Sequence, residues 1–104
     1  IAGTLSGGEQ QMLAMGRGLM SLPKMCIIDE PSNGLAPIVV SEIFRIVKAL
    51  PSQGITVLLV EQNVRQTLGI ADRACVFENG HKVLEGDSKD LLCSDHVRKA
   101  YLGL

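Results

Sequence analysis

Two short apolar segments with an amphipathic segment between them constrain the fold of this chain most. Residues 25–29 and 55–60 are strand-sized and apolar on both faces, which is typical of strands buried in a parallel sheet. Pro37, between them, is well placed as the first residue of a helix. Strand, helix and strand in this order predict a crossover connection and a parallel strand pair. The helix has an apolar stripe at helical spacing, formed by Val39, Val40, Ile43, Phe44, Val47 and Leu50.

Another helix is predicted before the first strand, beginning at Gly7 and ending near Leu22. Ser6 and Glu9, three residues apart, form the capping-box pattern of a helix start, and Pro23 stops the helix.

The last part of the chain has a different pattern. Asn63 is expected to cap a short helix, and Asn79-Gly80 to form the two-residue turn of a β-hairpin between residues 73–78 and 81–85. Two short closing helices are predicted after the hairpin. The fold class is therefore α/β, with parallel strands, flanking helices and a small antiparallel hairpin.

The composition excludes several classes of function. A net charge of -1 and only three aromatic residues, two Phe and one Tyr among 104 residues, argue against nucleic-acid binding. The longest apolar stretches are strand-sized, far short of the ~20 residues that cross a bilayer, so no membrane span is expected. The three cysteines lack metal-site spacing. Cys26 and Cys75 are expected to be small hydrophobic core residues, and His81 and His96 to be polar surface residues.

Two motifs carry the chemistry. The first is the hexapeptide Leu5-Ser6-Gly7-Gly8-Glu9-Gln10, whose Ser-Gly-Gly at a helix start offers backbone N–H groups and the positive end of the helix to an anion. The second is the strand ending in Asp29-Glu30, which offers one carboxylate for hydrated Mg²⁺ and one to act on water. Alone, each motif could be a plain turn, cap or surface strand end. Together they indicate nucleotide hydrolysis.

The order and wording of the two motifs resemble the signature sequence and the Walker B motif of ABC-type ATPases. The resemblance implies a P-loop-type ATPase domain with ATP and Mg²⁺ as cofactors. No G-x-x-x-x-G-K-[ST] loop occurs in the chain. The chain is therefore predicted to be the C-terminal portion of one ABC ATPase domain, inactive by itself. Residues 1–22 would belong to its helical subdomain, and residues 23–104 to its catalytic core and C-terminal hairpin and helices.

The resemblance also assigns roles to residues. The signature residues would contact the γ-phosphate of ATP held by a partner subunit. Asp29 would orient Mg²⁺ through water, and Glu30 would polarise the attacking water as general base. The signature residues concerned are Ser6, Gly7, Gly8 and Glu9.

Two positions depart from the family pattern. Asn33, Gly34 and Leu35 stand where ABC ATPases have a D-loop that touches the partner, but Ala36 replaces the Asp that often follows; the alternative is a plain turn leading into a helix. Gln62 stands where many relatives have a His that steadies the attacking water. Gln can donate a hydrogen bond but carries no positive charge. Either Gln62 does the same work less electrostatically, or this subunit's site is slow and the partner's site does most of the work.

The wording of residues 32–37 and 60–63 and of the Tyr101-Leu102-Gly103 ending is similar to that of the second ATPase of branched-chain amino-acid importers. That resemblance implies a second ABC ATPase subunit, in a homo- or heterodimer, and transmembrane permease subunits as partners. It places the protein peripherally on the cytoplasmic face of a bacterial inner membrane. Three alternatives stay open: the ATPase of another transporter (a lipopolysaccharide exporter or urea importer), a non-transport ABC ATPase, and a regulatory subunit that does not hydrolyse ATP.

Overall fold

The computed structural model describes residues 7–21 and 23–104. The chain divides into two compact units, one ending at Gln62 and one running from Asn63 to Leu104. Ser6 and Leu22 lie outside the described residues. The predicted boundary between a helical subdomain and a catalytic core, at residue 22, stays a prediction.

The first unit contains the predicted parallel strand pair. Its elements are α1 (Gly7–Leu19), β1 (Met25–Asp29), α2 (Pro37–Ala49), a 3-10 turn (Leu50–Gln53) and β2 (Thr56–Val60). β1 and β2 pair in parallel, with Met25 opposite Thr56 and Asp29 opposite Val60. Helix α2 begins at Pro37 as the sequence predicts, because the fixed φ of proline suits the first helical position.

The buried apolar residues of the first unit come from α2, the 3-10 turn and the strand segments. Helix α2 contributes Ile43, Phe44 and Val47, which recur at helical spacing and are all buried. The other buried apolar residues of this unit are Ile28, Leu50 and Ile55. The apolar stripe read from the sequence is therefore confirmed for its central residues.

The prediction that both strands are buried on both faces is wrong. Ile27 is 68% exposed, and Met25, Leu58 and Val60 are exposed as well. Among the described residues, β1 pairs with β2 alone, and the alternating exposure along both strands shows that only one face of the pair is covered. An apolar side chain that points to the other face therefore meets solvent.

Helix α1 ends at Leu19, earlier than the sequence predicts. Ser21 Oγ donates a hydrogen bond to the Gly18 carbonyl at 2.9 Å, which caps the helix end. Gly16 and Gly18 in the last turns lower the helical preference of this segment, because glycine loses most backbone entropy on folding. The chain leaves α2 through the 3-10 turn, which ends at Gln53 before Gly54 adopts a left-handed backbone with a φ of 84°.

The second unit contains the hairpin and three helices. Its elements are α3 (Val64–Ile70), β3 (Arg73–Glu78), β4 (His81–Asp87), α4 (Ser88–Leu92) and α5 (Asp95–Tyr101). Asn63 caps α3 by accepting the Gln66 N–H at 3.2 Å, as predicted. Asn79 and Gly80 have φ values of 51° and 78°, which the tight hairpin turn requires.

The core of the second unit is formed by Leu68, Leu91 and Val97. Cys75 does not join this core, so its predicted role as a buried hydrophobe is wrong. It lies on the exposed face of β3, where its thiol donates to Glu85 Oε1 at 3.3 Å. The pKa of the Cys75 thiol is raised, mainly by this hydrogen bond to Glu85.

Candidate functional site

The polar residues that follow β1 and β2 meet at one edge of the parallel sheet. Because the strands are parallel and Asp29 lies opposite Val60, their carboxyl ends coincide. Asp29 and Glu30 end the first strand, and Glu61 and Gln62 follow the second. The carboxyl edge of an open parallel sheet is where such folds bind ligands.

Glu30 has an unusual backbone that directs its carboxylate. Its φ is 46°, in the left-handed region that residues with a Cβ rarely adopt. Its N–H donates to the Val60 carbonyl at 2.7 Å, which extends the ladder one residue beyond the strand. Its Oε1 accepts a hydrogen bond from Gln62 Nε2 at 2.8 Å. The two residues predicted to be catalytic are therefore in direct contact.

The loop after Glu30 folds as a tight turn. Pro31 is fully buried, and the Asn33 N–H donates to the Glu30 carbonyl at 3.2 Å. Gly34 has a φ of 74°, which explains the glycine at this position. Asn33 and Gly34 are exposed and Leu35 is half-buried. The loop therefore presents Asn33 and Gly34 at the surface, and its contact with a partner stays a prediction.

The sequence did not predict one further link at this edge. Ser32 Oγ donates a hydrogen bond to Glu61 Oε2, and both residues are half-buried. Their positions in the sequence could have indicated this link. Ser32 is two residues after Glu30 and Glu61 directly precedes Gln62, at the ends of two adjacent strands.

The start of α1 packs tightly in the first unit. Gly8 is buried, and a Cβ built there would lie 2.5 Å from Val39 Cγ1. A Cβ on Gly7 would lie 3.3 Å from Leu35 Cδ2. The signature glycines thus have a packing reason in addition to the predicted phosphate contact. Gly7 and Glu9 are exposed, whereas the predicted hydroxyl donor Ser6 lies outside the described residues.

The donors at the sheet edge suit Mg²⁺ bound mainly by water and phosphate. Asp29 is exposed at the end of β1, and its carboxylate is the hard oxygen ligand that Mg²⁺ prefers. In residues 7–21 and 23–104, no group of three or more His, Cys, Asp or Glu side chains could hold a metal alone. Mg²⁺ usually keeps several waters and takes its other ligands from one or two carboxylates and from substrate phosphates.

The second unit holds a polar cluster of another kind. His96 Nε2 lies 2.9 Å from Glu78 Oε2, and the Tyr101 hydroxyl donates to the same oxygen. The Tyr101 hydrogen bond, followed by that of His96, lowers the pKa of the Glu78 carboxyl. His96 therefore has a carboxylate partner that the sequence did not indicate, although it is exposed as expected.

None of the helices described here is long and apolar enough to span a bilayer.

No protein-family model matches the chain. Its similar proteins include two that are named ATP-binding proteins of transport or export systems. The chain is 58% identical over 102 residues to the high-affinity branched-chain amino acid transport ATP-binding protein BraG of Pseudomonas aeruginosa, covering 98% of this chain and 44% of BraG. It is 39% identical over 100 residues to the lipopolysaccharide export system ATP-binding protein LptB of Escherichia coli K12, covering 96% of this chain and 42% of LptB. The chain thus spans less than half the length of these relatives.

Solved structures share the fold. The chain is 38% identical to MJ1267, an ATP-binding cassette of an ABC transporter, with a TM-score of 0.80 over 96% of this chain and 41% of that chain. A structure of MJ1267 in its ADP conformation gives a TM-score of 0.79 at 37% identity, over 98% of this chain and 42% of that chain.

Proposed function

We infer from these likenesses that the chain belongs to the ABC ATPases, and we propose that it forms part of the ATP-hydrolysing subunit of a membrane transporter. The similarity to BraG and to MJ1267 confirms the resemblance read from the two motifs, and the α/β fold is confirmed with it.

The observation that carries the proposal is the contact between Glu30 and Gln62 at the carboxyl edge of the sheet. A general base needs a carboxylate held at a fixed place within reach of water. The left-handed backbone at Glu30 and the hydrogen bond from Gln62 supply such a hold. A neutral amide that donates to the carboxylate orients it and adds no competing positive charge.

Other residues have supporting roles in this proposal. Asp29 holds Mg²⁺ through water, and bound Mg²⁺ neutralises charge on the nucleotide phosphates. The backbone at Gly7 and Gly8, with Ser6 and Glu9, contacts the γ-phosphate of ATP held by a second ABC ATPase subunit. The loop at Asn33, Gly34 and Leu35 touches that second subunit.

Replacing Gln62 tests whether its amide supports the reaction. In the full-length protein that contains this chain, we expect Gln62→Ala to lower kcat for ATP hydrolysis by about 10-fold, because Glu30 loses the donor that orients it. Gln62→His retains a ring N–H donor and should keep the rate. The measurement is steady-state hydrolysis by the protein alone and mixed with its candidate partner ATPase.

Gln53→Ala is the matched control, since Gln53 is exposed at the end of the 3-10 turn. It should hydrolyse ATP at the wild-type rate. If Gln62→Ala and Gln53→Ala were equally active in the protein alone, the proposed role of Gln62 would be lost. Equal activity in the mixture only would mean that the partner's site carries the turnover there.

The proposed cargo is branched-chain amino acids. The support is the printed name of BraG together with its identity of 58%, against 39% for LptB, whose name specifies lipopolysaccharide export. Permease subunits would be the membrane partners, and the cytoplasmic face of a bacterial inner membrane the location. Lipopolysaccharide export is the second candidate, because LptB matches nearly the same share of the chain.

A further inference from the structure

Two side-chain links join the turn after β1 to the residues after β2. One is the bond from Gln62 to Glu30, on which the proposed function rests. The other joins Ser32, two residues after Glu30, to Glu61, the neighbour of Gln62. Each partner of the second link is thus within two residues of a partner of the first.

The backbone conformation of Glu30 needs contacts that fix it, and the second link is one of them. A residue with a Cβ at a φ of 46° stays in that conformation only when its surroundings fix it. The Glu30 N–H bond to Val60 fixes the strand side of the residue, and buried Pro31 stiffens the chain directly after it. The next side chain along the turn is Ser32, and Glu61 is its partner.

We propose that Glu61 is a positioning residue for the hydrolysis reaction. By accepting the hydrogen bond of the Ser32 hydroxyl, its carboxylate fixes the turn that follows Glu30 and thereby aims the Glu30 carboxylate at the attacking water. This inference rests on the proposed function, in which Glu30 is the base. Glu61 itself exchanges no proton with water or nucleotide.

The chemistry of the link suits this role. A hydroxyl that donates to a carboxylate forms a stronger and more directional bond than one between neutral groups. Both residues are half-buried, so solvent competes less for the bond than at an exposed pair. The bond spans 29 positions of sequence and therefore ties two different strand ends together.

The test measures kcat and KM for ATP in the full-length protein carrying Ser32→Ala, Glu61→Ala or both. We expect each single variant to lower kcat by roughly 10- to 100-fold, because a misplacement of about 1 Å at a reacting group costs that much. KM for ATP should stay within about twofold, since binding is not affected. The double variant should be no slower than the slower single one, because both changes break the same bond.

Conservative variants separate positioning from charge. Glu61→Gln keeps an oxygen that accepts the Ser32 hydroxyl, and Ser32→Thr keeps the hydroxyl, so both should retain kcat within about threefold of wild type. A rate for Glu61→Gln as low as that for Glu61→Ala, with Ser32→Ala at the wild-type rate, would mean that Glu61 acts through its charge and not through the bond to Ser32, which contradicts a positioning role.

Matched controls come from α2 and the 3-10 turn. Glu42 is paired with Arg45 on the surface of α2, and the exposed Ser52 donates its hydroxyl to the Ala49 carbonyl. Glu42→Ala and Ser52→Ala should leave both constants unchanged. If Glu30→Gln abolishes hydrolysis while Ser32→Ala and Glu61→Ala behave like these controls, only the positioning role fails. If Glu30→Gln leaves hydrolysis intact, the proposed function fails.

Discussion

Glu30→Gln is expected to lower steady-state ATP hydrolysis by the full-length protein by about 10²- to 10⁴-fold, the usual contribution of a general base. The substitution removes the proton acceptor at nearly constant volume. The side-chain oxygen of the new Gln can still accept the hydrogen bond from Gln62 that Glu30 Oε1 accepts at 2.8 Å, so the local geometry should persist. ATP affinity should therefore be retained, which an equilibrium nucleotide-binding measurement checks.

Glu42→Gln is the control for this substitution. It makes the same chemical change on the surface of α2, where Glu42 pairs with Arg45. It should hydrolyse ATP at the wild-type rate. Unchanged turnover in a dimer that carries Glu30→Gln at both sites would overturn the assignment of Glu30.

Ile43→Ala is expected to destabilise the full-length protein by about 2–5 kcal/mol, the range for removing a buried branched side chain and leaving a cavity. Ile43 is 0% exposed and lies on the buried face of α2 together with Phe44 and Val47. The loss should appear as a lower midpoint in urea unfolding followed by circular dichroism.

The same helix offers a control of the same residue type. Ile38 lies in the first turn of α2 and is 81% exposed. Ile38→Ala should change the free energy of unfolding by no more than about 0.5 kcal/mol, as surface substitutions usually do. Equal losses for the two variants would show that α2 does not bury the face described here.

The order of elements followed from the sequence because local signals agreed with one another. Pro37 marked the start of α2, the apolar runs marked β1 and β2, and Asn79-Gly80 marked the hairpin turn. These signals depend on a few neighbouring residues, so no tertiary information is needed to read them. The end of α1 was predicted less accurately, because the early end of this helix depends on a cap by Ser21.

Burial was predicted less well because it depends on what covers each face. The apolar run that includes Ile27 looks the same whether one or two layers pack on it, and the structure covers one. Cys75 had an apolar sequence context, but the alternation of β3 places it on the exposed face beside Glu85.

The sequence predicted the residues of the candidate site but not the hydrogen bonds between them. Family wording assigned Glu30 and Gln62, but their hydrogen bond depends on the strand register. The bond between Ser32 and Glu61 was signalled only by the placement of both residues near Glu30 and Gln62, and the left-handed backbone of Glu30 left no pattern in the sequence. Such features arise only when two distant strand ends are brought together.

In the proposed function, ATP hydrolysis involving Glu30 powers the import of branched-chain amino acids. The most direct test of this proposal is leucine uptake by bacterial cells that lack the gene for this protein and express the full-length wild type or Glu30→Gln at equal levels. We expect the wild type to restore leucine uptake and Glu30→Gln to leave it unrestored. Uptake restored equally by both would contradict the role of Glu30. Restored lipopolysaccharide export without any change in leucine uptake would contradict the proposed cargo.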